Sequence, residues 1–190
     1  DMTALILPFE KAIYDANGVD AVFVGHPLLD EPPPVPRDEV RLGLGVAKGQ
    51  NMVAFLPGSR PGEVRRHSQP MGRAAAKLRR DGVFTAFASG PRSPLVRSGS
   101  WQARDLLHAA DGAVVASGTA TLEAAVFGTP LAVVYRMGRL SWFAAERLVE
   151  VPWVRLPNLV AGKEIEPELL QRRATGEMIY RQACALLEPE

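Results

Sequence analysis

The stretch Ala113-Val-Val-Ala-Ser-Gly-Thr-Ala-Thr-Leu-Glu123 decides how this chain is read. The apolar run from Ala113 to Ala116 has the length and character of a buried strand. Ser117-Gly118-Thr119 breaks it, and a helical pattern follows that ends near Gly128, with Pro130 just beyond. A strand, a hydroxyl-rich turn and a helix start in immediate succession bring unpaired backbone N–H groups to the positive end of a helix dipole, which is a ready anion site. Thr119 and Thr121 add hydroxyl donors, and Glu123, placed in the first turn, is suited to accept from a sugar hydroxyl. A nucleoside diphosphate fits this description. Ser-Gly-Thr before a helix is equally the pattern of an ordinary N-cap, so the stretch alone leaves both readings open.

Working outward, short apolar segments alternate with helical ones. Ala4 to Phe9 and Ala21 to Val24 are expected strands, joined by a short helix over Glu10 to Asn17. Four prolines between Glu31 and Pro36 follow, a stiff and extended composition expected of an interdomain linker. Beyond it come an expected helix at Asp38 to Leu44 and a strand at Met52 to Leu56. A helical region over Glu63 to Arg80 is next, with a kink or restart expected at Pro70. Then follow a strand at Val83 to Ala88, a helix at Gln102 to Ala110, the opening stretch, and a strand at Leu131 to Tyr135. Fully apolar strands alternating with helices predict a doubly wound parallel sheet of the α/β, Rossmann-like class. Met137 to Val154 is helix-prone and aromatic, with Trp142, Phe143 and Trp153. Packing against another domain is favoured for it, while Arg136, Arg139 and Arg147 keep contact with a membrane surface open. Glu168 to Leu187 is expected as a polar, amphipathic helical tail.

Bulk properties remove several classes of function. The 190 residues carry a net charge of +1, so no general basic field invites nucleic acid. Cys184 is the only cysteine, which excludes an internal disulfide framework or a cysteine zinc site. His26, His67 and His108 lie far apart with no metal-ligand spacing. No run reaches the roughly 18 apolar residues of a membrane-spanning helix. No signal peptide opens the chain, and Asp1 is not a natural start, so an excised or processed piece is expected.

In open parallel sheets ligands bind beyond the carboxyl ends of the strands. Two loops are expected there, Pro57 to Gly62 and Ser117 to Thr121. Gly58 and Gly62 allow close backbone approach, and Arg60 offers a planar fork for a phosphate oxygen, with a surface ion pair to Glu63 as its alternative. Gly43-Leu-Gly45 precedes a strand and so is no dinucleotide fingerprint, and no Gly-Lys-Ser/Thr follows Gly58 to make a P-loop. Ser59 and Ser117 lack a nucleophile elbow, which disfavours a hydrolase. His26, before Pro27, is better placed as a packed hinge residue than as a base, and Asn158 serves equally as a turn residue or a ligand contact.

These residues resemble the lipid-A-disaccharide synthase family. The resemblance rests on Ile6-Leu-Pro-Phe-Glu10, Phe23-Val-Gly-His-Pro-Leu-Leu-Asp30, Leu56-Pro-Gly-Ser-Arg60 with Glu63, Ser117-Gly-Thr-Ala-Thr-Leu-Glu123, Leu156-Pro-Asn-Leu159 and Pro167-Glu-Leu-Leu-Gln171, in that order. It implies the C-terminal, donor-binding half of a GT-B glycosyltransferase. Such an enzyme moves 2,3-diacylglucosamine from UDP to 2,3-diacylglucosamine 1-phosphate with inversion and without a metal or other cofactor. The implied organisation is residues 1–30 as the end of the acceptor domain, 31–37 as linker, 38–160 as the UDP-sugar domain and 161–190 as a helical tail. The implied donor contacts are Gly58, Ser59, Arg60, Ser117, Gly118, Thr119, Thr121 and Glu123, with Asn158 and Gln171 completing the site. The family's catalytic aspartate and acceptor site belong to the half not present here, so binding of UDP rather than turnover is expected. The resemblance further implies a cytoplasmic location. It leaves open a homodimer through the C-terminal region and peripheral contact with the inner face of the inner membrane. Another GT-B enzyme on a UDP-sugar, either transferase or epimerase, and a non-catalytic UDP-binding or dimerisation module remain as alternatives. One departure stands out: only Ser89 to Ser93 separate one strand from the next plausible one, Pro94 to Arg97, where a parallel crossover needs a dozen or more residues.

Overall fold

A computed structural model describes residues 2–88, 101–116, 118–138 and 168–188. The 89–93 connection, the Pro94 to Arg97 strand, nearly all of the aromatic segment 137–154, the turn-rich 156–162 segment, Ser117 and Asn158 lie outside the described residues.

The first unit is small. Strands β1 (Thr3–Leu5) and β2 (Ala21–Phe23) pair in parallel, with helix α1 (Glu10–Ala16) between them. Helix α1 buries no residue, and Val22, Phe23 and Val24 stay exposed. A 3-10 turn over Pro27–Asp30 follows, and His26 caps it by accepting from Leu28 N–H through Nδ1 at 3.1 Å. His26 is thereby tied to its own turn.

The second unit is a five-stranded parallel sheet in the order β4-β3-β5-β6-β7. Its strands are β3 (Met52–Leu56), β4 (Phe84–Phe87), β5 (Gly112–Ala116), β6 (Leu131–Tyr135) and β7 (Glu168–Leu170). Every residue of β3 and β5 is buried, because helices cover both faces. Alternation along β3 divides the core. Met52, Ala54 and Leu56 face α2 (Arg37–Leu44), α4 (Ala103–Ala109) and α5 (Thr119–Phe127), meeting Val40, Leu106, Leu107 and Ala124. Val53 and Phe55 face α3 (Pro61–Arg80) and α6 (Gly176–Ala185), meeting Met71, Leu78, Ile179 and Ala183. Phe55 and Phe87 stack at 4.9 Å between ring centroids on this second face. Truncating a ring in such a core costs about 3–5 kcal/mol.

Two expectations need correction. The segment from Glu168 is not helical throughout. It opens with β7, which pairs in parallel with β6 at Val133–Glu168 and Tyr135–Leu170, and only α6 is helical in the α sense. The segment therefore completes the sheet domain rather than trailing from it. Its helix begins at Gly176, where a Cβ would come within 2.7 Å of Arg73 Cβ and 3.2 Å of the Pro70 carbonyl, so α6 starts in close contact with α3. The second correction concerns the restart expected at Pro70. Helix α3 runs without interruption from Pro61 to Arg80, with Pro70 buried inside it. Burial of one side of α3 along Met71, Ala74, Ala75 and Leu78 outweighs the loss of one helical hydrogen bond.

A polar knot ties the layers together at the amino ends of the strands. Asp111 accepts from Met52 N–H at 2.7 Å and from Arg41 at 3.1 Å, and also pairs with Arg37. Burial alone would raise the Asp111 pKa. The Met52 and Arg41 hydrogen bonds and the charges of Arg41 and Arg37 outweigh that and hold it below the ordinary carboxylate range.

Candidate functional site

Strand order places the site. From β3 the chain crosses through α3 to β4 on one side, then returns through α4 to β5 on the other. The carboxyl ends of β3 and β5 thus flank a switch point, where the loops part and a crevice opens. A cavity of ≈ 300 Å³ lies there. The β3 loop (Pro57, Gly58, Ser59), Ala88 beyond β4, the start of α4 (Trp101, Gln102, Ala103) and the start of α5 (Gly118, Thr119, Ala120, with Glu123) all line it.

The two loops expected to converge do so. Gly118 adopts φ 125 and ψ −165, a region open essentially to glycine alone, and this turns the chain from β5 into α5. Gly118 has no side chain with which to cap α5, and Thr121 N–H already donates to the Gly118 carbonyl at 3.1 Å, so Thr119 and Ala120, which line the cavity, bring the first N–H groups of α5 to its wall. Gly58 has φ 110, and a Cβ there would meet Glu63 Oε2 at 2.6 Å. Glu63 needs that space because its Oε2 accepts from Arg60 N–H at 3.3 Å, which fixes the start of α3.

The remaining expected residues divide. Thr121 is turned inward: it is buried, and its hydroxyl donates to the Gly118 carbonyl at 2.8 Å, so its one proton is already committed. Arg60 lies outside the cavity lining, its side chain 83% exposed and paired with Glu63 Oε1 at 3.3 Å. Glu123 lines the cavity, but as the fifth residue of α5 it stands beyond the first turn. Burial raises its pKa first, Glu31 adds to the rise, and Arg104 opposes it. Gln171 follows β7 and opens a 3-10 turn with φ 45, its carbonyl accepting from Arg136 Nε at 3.3 Å and its amide nitrogen buried without a partner among the described residues. It is not among the residues lining the cavity.

Several contributors escape a motif reading. The proline-rich linker is clamped along α4: Asp105 accepts from Val35 N–H at 3.1 Å, and Arg104 pairs with Glu31 at 2.7 Å. His67, inside the basic run Arg65-Arg66-His67, is fully buried. Its Nε2 accepts from Arg136 N–H at 2.8 Å, which leaves Nδ1 to donate to the Pro57 carbonyl at 2.9 Å. Trp101 has no sequence signal beyond standing next to an expected helix start. Among the described residues no group of three His, Cys, Asp or Glu side chains is placed to hold a metal ion, and no helix is long and apolar enough to cross a membrane.

Fold and cavity together define an α/β domain of the doubly wound, Rossmann-like class with its crevice at the switch point. The family model described as Lipid-A-disaccharide synthetase matches residues 1–85 and 95–190, and the chain belongs to that family. It is 37% identical over 203 residues to the lipid-A-disaccharide synthase of Anaeromyxobacter dehalogenans (strain 2CP-1 / ATCC BAA-258), covering 98% of this chain and 53% of that protein. It is 40% identical over 207 residues to the enzyme of that name from Syntrophus aciditrophicus (strain SB), covering 98% and 53%. For the one from Pseudomonas syringae pv. tomato (strain ATCC BAA-871 / DC3000) the identity is 39% over 204 residues, covering 99% and 54%. The chain thus spans about half the length of the curated relatives it matches.

Proposed function

We propose that this chain is the donor-binding part of an inverting GT-B glycosyltransferase. The whole enzyme would transfer 2,3-diacylglucosamine from UDP to 2,3-diacylglucosamine 1-phosphate, forming the lipid A disaccharide. The observation that carries the reading is the crevice at the switch point, with the glycine-led start of α5 on one wall and Glu123 lining it, in a chain of the lipid-A-disaccharide synthetase family.

The chemistry follows from the groups present. The diphosphate is held at Gly118 and Thr119, where helix N–H groups meet its charge. Glu123 accepts from the ribose hydroxyls. As the sugar leaves, negative charge grows on the departing UDP, and fixed backbone donors favour that state over the ground state. Arg60, free to swing on an exposed side chain, adds its charge-assisted hydrogen bonds. Ser59 and Gly58 border the same space. The acceptor site and the catalytic base belong to the rest of the enzyme. Two separate parallel sheets on either side of the proline-rich segment support taking 1–30 as the end of the acceptor domain and 31–37 as the hinge. Ser117, Asn158 and Gln171 are kept as further donor contacts. The lipid substrates also motivate peripheral membrane contact, tested by vesicle flotation, and a dimer through the C-terminal region, tested by sedimentation velocity.

Calorimetric titration with UDP, against AMP and inorganic phosphate, tests the site. Selective UDP binding without turnover is expected. Absence of UDP binding, or equal binding of AMP, would overturn the reading.

A further inference from the structure

Trp101 stands just before α4 and lines the crevice at the α4 start. It is half-buried, packs on the core layer beneath α2 and α4, and lines the cavity beside Gln102. Its position against α2 is tight. A Cβ added at Gly43 would lie 2.6 Å from Trp101 Cζ2 and 3.4 Å from Cε2. The indole therefore cannot retreat toward α2, and Gly43 is the space that lets it lie where it does. No other aromatic ring among the described residues lines the cavity. Its neighbours at that end, Ala88 and Ala103, are small and apolar. A phosphate would find no charge or hydroxyl in these alanines, whereas a flat apolar ring system would find a flat partner.

We propose that Trp101 is the base-recognition wall of the crevice, taking the face of a planar nucleobase against its indole while the diphosphate occupies the α5 end. This rests on the donor-site reading above, in which the base is uracil. The three walls then match the three parts of a nucleotide: N–H groups for phosphate, the Glu123 carboxylate for ribose, an aromatic face for base. Stacking of this kind supplies affinity without selecting one base, because every base presents a π-face.

The test uses the whole chain and two probes, UDP and inorganic pyrophosphate, the second lacking a base. Trp101→Ala is expected to weaken UDP roughly five- to a hundredfold, the span of alanine substitutions at base-stacking aromatics, and to leave pyrophosphate binding unchanged. Trp101→Phe, which keeps a ring and guards against loss of fold, is expected to retain most UDP affinity. UDP should quench indole emission in the wild type and not in that variant. Gly43→Ala, which forces the indole out of position without touching the crevice otherwise, should weaken UDP as well. Equal UDP affinity of Trp101→Ala and wild type overturns the inference and leaves the donor site standing. Equal loss of both probes on a folded variant also overturns it, by making Trp101 a general packing residue. Failure of the wild type to bind UDP overturns the donor-site reading and the inference with it.

Discussion

The Nδ1 atom of His67 lies 2.9 Å from the carbonyl oxygen of Pro57, and this bond fixes the loop that leaves β3 to the middle of α3. The opposite ring nitrogen holds Arg136 N–H at 2.8 Å, and Arg66 Nε reaches the Arg136 carbonyl at 2.9 Å. The ends of β3 and β6 are therefore tied through one buried imidazole. The crevice wall at Pro57 and Gly58 owes its position to a histidine that does not line the crevice.

Replacing His67 with alanine should cost about 2–4 kcal/mol of folding free energy, since a half-buried N–H and a buried carbonyl lose their partner and a void remains. Chemical denaturation of the two proteins measures it. A variant as stable as the wild type would mean that water or a neighbour replaces both bonds.

Glu123 gives a pH signature. Burial raises its pKa, Glu31 adds to the rise and Arg104 opposes it. Protonation of Glu123 is thus easier in the free fold than for a solvated glutamate, while acceptance from ribose hydroxyls needs the carboxylate. At neutral pH Glu123→Gln should weaken UDP by about 1.5–3 kcal/mol. As pH falls the two proteins should converge, at a midpoint above the ordinary glutamate range. Calorimetry across pH reads this, and parallel profiles would remove Glu123 from the ribose site. Unliganded stability moves the other way. With the folded pKa above the unfolded one, lowering the pH favours the wild-type fold relative to Glu123→Gln.

Asp111 carries the opposite sign. Its folded pKa is depressed, so its contribution is fully present above the unfolded carboxylate value of about 4 and is lost as pH falls through the folded value. Asp111→Asn should be less stable by about 2 kcal/mol at neutral pH, the range for hydrogen bonds to a charged group. That difference should fade in acid. Urea melts at two pH values suffice, and a difference constant with pH would mean that shape rather than charge makes the knot.

Arg60 separates stability from binding. Its side chain is 83% exposed and its ion pair with Glu63 is screened, so Arg60→Ala should change stability by no more than about 0.5 kcal/mol. UDP binding should weaken by about 1.5–3 kcal/mol. Unaltered UDP binding would leave Arg60 with its surface ion pair alone.

Legibility in the sequence follows punctuation and burial. Strands β3 and β6 and helix α5 have the boundaries expected of them, because Pro57, Gly128 and Pro130 end elements whose apolar runs leave little choice. Strand β7 was hidden because three residues cannot display a period. It becomes a strand only by adding to the edge of β6. Hydroxyl counting misled at Thr121, where the bond to its own turn consumes the proton that a ligand would have used. The crevice could be anticipated at the ends of β3 and β5, but Trp101 and the Arg104–Glu31 pair could not. Their roles depend on which helix lies beside which loop, and single residues seldom announce that.

One more consequence belongs to α6. Residues 176–185 lie against α3, whose residues 61–80 emerge from a ribosome about a hundred residues earlier. Until then Met71, Ala74 and Leu78 have no partner on their outer side from this segment, and one flank of the nascent domain stays greasy and open. The order of synthesis thus makes the docking of a ten-residue helix a late step in closing this flank, slow by the distance it must span. A shortened chain stopping before it should be a client of chaperones rather than a smaller version of the same protein.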